Sequence, residues 1–290
     1  MKKHPLLMAL LIVGAIFLFF VILALLVSRH SGRGARFALG DKIGIIEITG
    51  VITSAEDVIE DLRDFREDST IKAIVLRIDS PGGSVAPSQE IHDAVKKAVD
   101  IKPVVVSMGS LAASGGYYIA VAGQQIVANP GTMTGSIGVI MEFANYEELL
   151  KKIGWQNIVV KSGRFKDIGS PNRPMTDADR QLLQTMIDDV QSQFVTAVAQ
   201  GRNLSLEKVR EVADGRVMTG QQALKAGLVD KLGGLDTAID LAAELAGVVD
   251  PKVVYPLEPP PKLIDYFMEQ ATKHFFKTMQ QQSELKLNFL

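Results

Sequence analysis

The sequence predicts an α/β domain with a mostly parallel β-sheet, preceded by one N-terminal transmembrane helix. Short apolar runs typical of strands alternate with longer stretches of helical spacing, which is the pattern of repeated βαβ units. Ahead of them, residues 6–27 form an apolar run without a single charge. At a rise of about 1.5 Å per residue, such a run can cross a hydrocarbon core of about 30 Å.

The chain divides into five predicted segments. They are a short N-terminus at residues 1–5, the anchor at 6–28, a Gly/Arg-rich linker at 29–41, the α/β domain at 42–250, and a Pro-rich linker with an amphipathic tail at 251–290. A cleaved secretory signal is the alternative to a retained anchor, because Lys2 and Lys3 give a basic start. The apolar run exceeds the roughly 7–15 residues of such a signal, and no small-x-small cleavage site follows it. We therefore predict a retained anchor.

Several strands and helices are predicted within the domain. The strands lie at residues 43–52, 71–78, 104–107, 126–128, 137–141 and 158–160. The helices lie at residues 55–66, with Ser54 as N-cap, and at 88–99, 113–122, 176–201, 205–213 and 235–246. The third of these helices would begin at Ser114, which places the positive end of the helix dipole beside that residue.

Two strands of this pattern end in glycine-rich turns, one with Ser114 and Gly115 and the other with Gly82 and Gly83. Acyl transfer requires a nucleophile at a sharp turn and backbone N–H groups aimed at the developing oxyanion, and glycines allow such tight geometry. We therefore predict that Ser114 attacks peptide carbonyls and that the N–H groups of Gly83 and Gly115 form the oxyanion hole. Asp79, just before the second turn, is expected to hold it in place.

Composition limits the choice of general base. The chain has no cysteine, which excludes thiol nucleophiles, zinc–thiolate sites and disulfides. Of the four histidines, His4 and His30 flank the apolar run, His274 lies in the tail, and His92 is predicted on the solvated face of a helix. None of these histidines is therefore a good candidate for the base of a Ser-His-Asp triad. The formal net charge of -2 gives no reason to expect a nucleic acid partner, and no metal or cofactor is predicted.

A lysine kept neutral by desolvation is the remaining common activator of serine. Lys166 is the candidate, since it lies in a Gly- and Pro-punctuated loop after the apolar residues 158–160. A loop lysine is more often a solvated charge, so the spacing alone does not decide this role. The neighbouring Asp167 would hold the amine in its charged form, and we expect its side chain to point elsewhere. Ser136 is either a hydrogen-bond partner that orients the lysine or an ordinary turn serine.

Five motifs follow one another along the chain: residues 79–84 (DSPGGS), 108–118 (MGSLAASGGYY), 132–139 (TMTGSIGV), 161–167 (KSGRFKD) and 219–230 (TGQQALKAGLVD). With them the chain resembles the signal peptide peptidase SppA family in its short, single-domain form, and less closely the Clp protease and crotonase folds. The resemblance spans residues 42–247. It implies a Clp protease/crotonase-like fold and a Ser/Lys dyad, with Ser114 as nucleophile and Lys166 as the base that takes up and returns the proton.

The resemblance also implies a location, a substrate and a partner. Lysines and arginines on both flanks of the apolar run leave its orientation undecided. The family implies a single-pass protein of the bacterial cytoplasmic (inner) membrane, with residues 1–5 in the cytoplasm and the catalytic domain outside it. Its peptide substrates would be remnant signal peptides, cut at the membrane surface. It further implies a homo-oligomer in which each dyad takes its serine from one subunit and its lysine from the neighbour.

Other functions stay open beside this one. They are a related membrane-bound Clp-like protease that cuts one dedicated membrane protein, a crotonase-fold acyl-CoA enzyme without a nucleophile, and a non-catalytic scaffold. The presence of both Ser114 and Lys166 argues against the scaffold.

The tail beyond Pro261 contains apolar residues at helical spacing. This spacing predicts a helix that packs on the domain or on a neighbouring subunit, with a membrane-surface helix as the alternative. The terminal residues 285–290 form an apolar peptide that would suit the substrate groove, as a regulator or as a self-cleavage site.

Overall fold

The computed structural model of the chain describes residues 40–257. The predicted N-terminus, anchor and nearly all of the first linker, at residues 1–39, lie outside the described residues, as does the tail at 258–290. The predictions made for those segments stay predictions. Within the described part of the chain, no helix is long and apolar enough to cross a membrane.

Strands and helices alternate along residues 40–257. The strands are β1 (Lys42–Thr49), β2 (Ile71–Ser80), β3 (Val104–Ala113), β4 (Gln125–Ala128), β5 (Met133–Gly135), β6 (Val217–Thr219), β7 (Lys231–Leu232) and β8 (Lys252–Val254). The helices are α1 (Glu56–Glu67), α2 (Val85–Val99), α3 (Gly115–Ala120), α4 (Glu147–Lys152), α5 (Asp177–Arg202), α6 (Leu206–Arg210), α7 (Gly220–Lys225) and α8 (Leu235–Ala246).

The described strands join one sheet. Its main path runs β6-β5-β3-β2-β1-β8, while β4 pairs with both β3 and β7. The pairings are parallel except for the short antiparallel contact between β5 and β6. The predicted mixed α/β fold with a mostly parallel sheet is therefore confirmed. Because β2 and β3 are parallel neighbours, the turns that follow them lie side by side at one edge of the sheet.

Side chains of the central strands alternate between two cores, since successive residues of a strand point to opposite faces. On one face, Ile46 and Ile48 of β1 pack with residues of α1, α2, α3 and α5. On the other face, Ile43 and Ile45 pack with α8 through Ala238 and its neighbours. Helices thus cover both faces of the sheet, which explains why its strands are nearly continuous apolar runs.

Two predicted strands are wrong. Residues 137–141 and 158–160 have no strand structure, and no described strand pairs with them. Ile140, Ile158 and Val160 are 82%, 86% and 96% exposed. These segments have the apolar, β-branched composition of strands. A strand also needs a neighbouring strand to pair with, and the composition of a segment does not show whether one is present.

Other boundaries differ by a few residues. Helix α1 begins after Ala55 instead of Ser54, and the N–H of Ala55 donates to the side chain of Glu56 at 3.0 Å. Helix α6 contains only Leu206–Arg210 of the predicted residues 205–213. The sequence analysis missed β5, β6, β7, β8, α4 and α7, because strands of two or three residues and helices of six are too short for a clear periodicity.

Helix α3 is locked into the core by Tyr117. This side chain is completely buried, and its hydroxyl donates to the Leu228 carbonyl at 2.9 Å. Burial raises the pKa of Tyr117 far above its ordinary value, so the hydroxyl stays protonated and remains a donor. Behind α3, a Cβ added to Gly201 of α5 would lie 2.1 Å from the Val121 carbonyl oxygen, so α5 packs directly against the end of α3.

We expect Tyr117→Phe to lower the free energy of unfolding by about 1–3 kcal/mol, because it leaves a buried carbonyl without its donor. Urea unfolding followed by circular dichroism measures this loss. Tyr146→Phe is the matched control, since that residue is 52% exposed, and it should change the free energy of unfolding by no more than about 0.5 kcal/mol. Equal losses in the two variants would contradict the assigned role of the buried hydrogen bond.

Candidate active site

Ser114 lies at the turn where β3 ends and α3 begins. Its backbone angles are φ 52 and ψ -121, a conformation that non-glycine residues rarely adopt. The turn is fixed on both sides, since the Ser114 N–H donates to the Gly135 carbonyl at 2.9 Å and the N–H of Tyr118 donates to the Ser114 carbonyl at 2.8 Å. Strained backbone of this kind persists only where surrounding contacts hold it, and it is common at active sites.

The pairing of β3 with β2 changes register shortly before this turn. Ile78 of β2 pairs with Met108 of β3, and Ser80 pairs with Ala112, so β3 contains two more residues than β2 between these pairs. The extra residues leave the β2 ladder, and their backbone groups need other hydrogen-bond partners.

Three side chains bond to the backbone of this part of β3, two of them to the extra residues. Asp79 Oδ1 accepts from the N–H of Leu111 at 3.0 Å. Two buried threonines donate from their hydroxyl groups to carbonyls of β3. Thr132 donates to the Gly109 carbonyl and Thr134 to the Ala112 carbonyl, each at 2.6 Å. From the sequence, Asp79 was expected to hold the glycine turn. In the structure its carboxylate instead holds the β3 bulge, the stretch of β3 that contains the two extra residues.

The glycine turn after β2 presses against the Ser114 turn. A Cβ on Gly82, whose φ is +95, would lie 2.6 Å from the Gly115 nitrogen. A Cβ on Gly115 would lie 3.2 Å from the Gly83 nitrogen and 2.5 Å from Ser88 Oγ. Side chains at these positions would therefore prevent the two turns from meeting.

The N–H groups of Gly83 and Gly115 make no hydrogen bond with any residue of the described range 40–257. The structure thus brings together Ser114 and the two predicted oxyanion donors. Two unpaired N–H groups beside a serine in a strained turn are suited to bind the oxygen of a reacting carbonyl.

Ser136 lies across the β3–β5 pairing from the Ser114 turn. It directly follows Gly135, which pairs with Ala113 and accepts the N–H of Ser114. Its φ is 50, and its own N–H donates to the Arg216 carbonyl at 2.8 Å. A second serine in the left-handed region therefore lies close to the first.

The structure shows no hydrogen bond between the side chains of Lys166 and Ser114 of the same chain. It is exposed, lies among the turns between residues 162 and 172, and its backbone N–H donates to the Gly163 carbonyl at 3.2 Å. Among the described residues, its side chain makes no hydrogen bond or ion pair.

The Asp167 carboxylate binds partners other than this lysine, as expected from the sequence. Arg173 donates to its two carboxylate oxygens at 2.9 and 3.0 Å, and Lys161 donates to one of them at 2.6 Å. The pKa of Asp167 lies below its ordinary value, chiefly because of the hydrogen bonds from Arg173 and secondly because of the hydrogen bond from Lys161.

The predicted solvent exposure of His92 is wrong. The residue is only 7% exposed, and its ring lies 5.0 Å from that of Tyr118, which in turn lies 5.0 Å from that of Phe194. Burial lowers the pKa of His92. Residues 88, 91, 92 and 95 are all buried, so a reading of helical spacing over this stretch would have placed the histidine on the inner face.

Comparison with known proteins identifies the family. The model of peptidase family S49 matches residues 96–249, and that of the Clp protease family matches residues 41–134. The chain belongs to peptidase family S49. The predicted resemblance to SppA proteases is confirmed, and with it membership in a family of serine proteases. No group of acidic or histidine side chains within residues 40–257 is arranged to hold a metal ion.

Three relatives illustrate the similarity. A protein of Synechocystis sp. named as a putative protease is 49% identical over 214 residues, 73% of this chain and 77% of that protein. A protein of Enterococcus faecium called "Putative signal peptide peptidase SppA" is 36% identical over 201 residues, 69% of this chain and 58% of its own length. Protease 4 of Salmonella typhi is 37% identical over 243 residues, 80% of this chain but only 39% of its own length. The chain thus spans less than two thirds of the last two relatives.

We expect Asp79→Ala to lower kcat/KM on a peptide substrate by about 10-fold or more, because small shifts of reacting groups reduce rates steeply. The variant removes the acceptor for the Leu111 N–H and so loosens the β3 bulge. Asp79→Asn keeps an oxygen in the same place and should retain most of the activity. If both variants lost activity equally, the charge of Asp79 would matter and not its hydrogen bond to β3.

Proposed function

We propose that this chain is a membrane-anchored serine endopeptidase that degrades remnant signal peptides with a dyad of Ser114 and Lys166. The observation that carries the proposal is the strained turn at Ser114, beside the N–H groups of Gly83 and Gly115 that no described residue accepts. A serine at such a turn is accessible to a carbonyl, and two free donors suit the negative charge that develops on its oxygen.

The proposed reaction is an acyl transfer to Ser114 followed by hydrolysis. Ser114 Oγ attacks the scissile carbonyl while neutral Lys166 removes its proton, and the N–H groups of Gly83 and Gly115 bind the oxyanion. Lys166 then delivers the proton to the leaving amine, and an acyl-enzyme ester remains on Ser114. Water, deprotonated by the same lysine, attacks this ester, and the lysine returns the proton to Ser114 Oγ as the carboxylic acid product leaves. Ser136 accepts a hydrogen bond from the ammonium form of the lysine and orients it.

In this proposal the two members of each dyad come from different subunits. Lys166 is exposed in its own chain and has no side-chain partner among the described residues. A lysine that acts as a base has to be desolvated, because water stabilises its charged form. A neighbouring copy of the chain would both cover the lysine and present its own Ser114 to it.

An apolar surface around the lysine loop favours such an oligomer. Trp155 and Ile158 are 62% and 86% exposed. Beside the start of α5, an open groove of about 510 Å³ is lined by polar residues and by apolar ones, the latter including Phe143, Met175 and Ile187. Exposed apolar side chains that lie together are common at protein–protein interfaces. The unpaired segments 137–141 and 158–160 belong to the same part of the chain.

The membrane and the substrate class are the remaining parts of the proposal. Residues 6–27 are apolar and uncharged, and as an anchor they would hold the catalytic domain at the outer surface of a bacterial inner membrane. Hydrophobic cores of signal peptides remain in that membrane after secretion. The name of the Enterococcus faecium relative, putative signal peptide peptidase, supports the same substrate class.

We expect Ser114→Ala and Lys166→Ala each to lower kcat/KM by about 10³-fold or more, because the two groups act as one unit. A fluorophosphonate probe should label the wild type at Ser114 and leave Ser114→Ala unlabelled. Ser192→Ala and Lys208→Ala change exposed residues of the same types and should retain full activity. An unlabelled wild type would favour the crotonase-like alternative, and an active Lys166→Ala enzyme would reject the lysine as base.

Mixing the two inactive proteins tests whether sites are shared. If serine and lysine come from neighbouring subunits, an equal mixture of Ser114→Ala and Lys166→Ala should regain about a quarter of wild-type activity, since that fraction of head-to-tail interfaces joins an intact serine to an intact lysine. The subunits are dissociated, mixed, reassembled and assayed, and affinity tags on each variant confirm that mixed oligomers form. Mixed oligomers without activity would place each dyad within one chain.

A further inference from the structure

A network of ion pairs holds the segment that carries Lys166. Arg173 donates from Nε to Asp167 Oδ2 at 2.9 Å and from Nη2 to Oδ1 at 3.0 Å, a two-pronged contact. Its Nη1 donates to Asp179 Oδ2 at 2.6 Å. Lys161 Nζ adds a contact of 2.6 Å to Asp167 Oδ1. One guanidinium therefore ties the loop to the first turn of α5.

The network is largely sheltered from solvent. The side chains of Asp167, Arg173 and Asp179 are 14%, 26% and 3% exposed. Asp179 is further fixed by the capping box at the start of α5, where it accepts the N–H of Thr176 at 3.1 Å. Because Asp179 cannot move with the loop, it gives Arg173 a fixed anchor from which to hold Asp167.

Lys166 adjoins Asp167 in sequence, yet no carboxylate of the described residues lies within ion-pair distance of its amine. The acceptor nearest along the chain is occupied on both oxygens by other cations. The remaining charged residues of the loop and of the first turn of α5 are Arg164, Asp177 and Arg180.

We infer that Arg173 is a positioning residue for the base: it captures the Asp167 carboxylate and so keeps Lys166 without a counter-ion in its own chain. This inference rests on the proposed function, in which the neutral amine of Lys166 accepts the proton of Ser114. A carboxylate within about 4–6 Å of an amine favours the charged ammonium, which cannot accept a proton. Without Arg173, only the single amine of Lys161 restrains Asp167.

The test is the pH profile of kcat/KM on a peptide substrate, measured with the full-length chain. Arg173→Gln should move the acid limb of the profile to higher pH by about one unit, because Asp167 becomes free to stabilise the ammonium form of Lys166. Adding Asp167→Asn to this variant should return the limb to its wild-type position, although the network is then absent. Arg180→Gln is the matched control, since it removes a nearby exposed arginine that has no side-chain partner in the described part of the chain, and it should leave the limb unchanged.

Each outcome bears on the inference. A loss of activity in Arg173→Gln that is uniform over pH, and that Asp167→Asn does not reverse, would reduce Arg173 to a structural brace and overturn the inference. If Arg173→Gln does not fold or assemble, the single variant Asp167→Asn decides. Its acid limb should stay in place because Arg173 already holds the carboxylate, and a limb at lower pH would mean that Asp167 acts on the base in the wild type.

Failure of the proposed function gives a different result. Wild-type activity in Lys166→Ala would reject the lysine as base, whatever the Arg173 variants do. An inactive Lys166→Ala enzyme, combined with identical pH profiles in wild type and Arg173→Gln, would keep the dyad and reject only the positioning role of Arg173.

Discussion

The departure of β3 from the β2 ladder is the constraint on which the candidate site depends. Only because β3 contains two extra residues there does it reach Ser114 in a strained turn beside the glycine turn of β2. Buried backbone groups without partners cost about 1–3 kcal/mol each. Asp79 of β2 and Thr132 supply partners for the extra residues, and Thr134 of β5 supplies one for the adjoining Ala112. Short β5 matters for this reason, since it brings Thr134 alongside β3 and also accepts the N–H of Ser114 through Gly135.

Local chemistry made part of this site predictable from the sequence. Glycines after a strand indicate a tight turn wherever the strand lies, so Ser114, Gly83 and Gly115 could be singled out before their contact was known. The roles of Thr132 and Thr134 could not, because a hydroxyl gains its partner only when β5 lies beside the bulge of β3. That neighbour is set by the order of strands in the sheet, which no spacing within a single motif reveals.

The wrong strands at residues 137–141 and 158–160 have a related cause. Ile140 and Ile158 favour extended backbone and burial, so the local pattern is that of a strand, yet both side chains are more than four-fifths exposed, at 82% and 86%. A β-strand forms only where a neighbouring strand accepts and donates its backbone hydrogen bonds, and no described strand lies beside these two segments. His92 is the opposite case, since its helix was predicted and only its inner-facing position was overlooked.

The chemistry proposed for Lys166 explains why an arginine suits position 173. The loop contains both charges, and a carboxylate adjoins the amine in sequence, so the amine can stay neutral only if that carboxylate is bound elsewhere. A lysine at 173 would offer one point charge. The planar guanidinium binds both oxygens of Asp167 and still reaches Asp179 with its remaining nitrogen. In the proposed mechanism, the contacts that fix the loop on α5 therefore also keep the Asp167 carboxylate from pairing with Lys166.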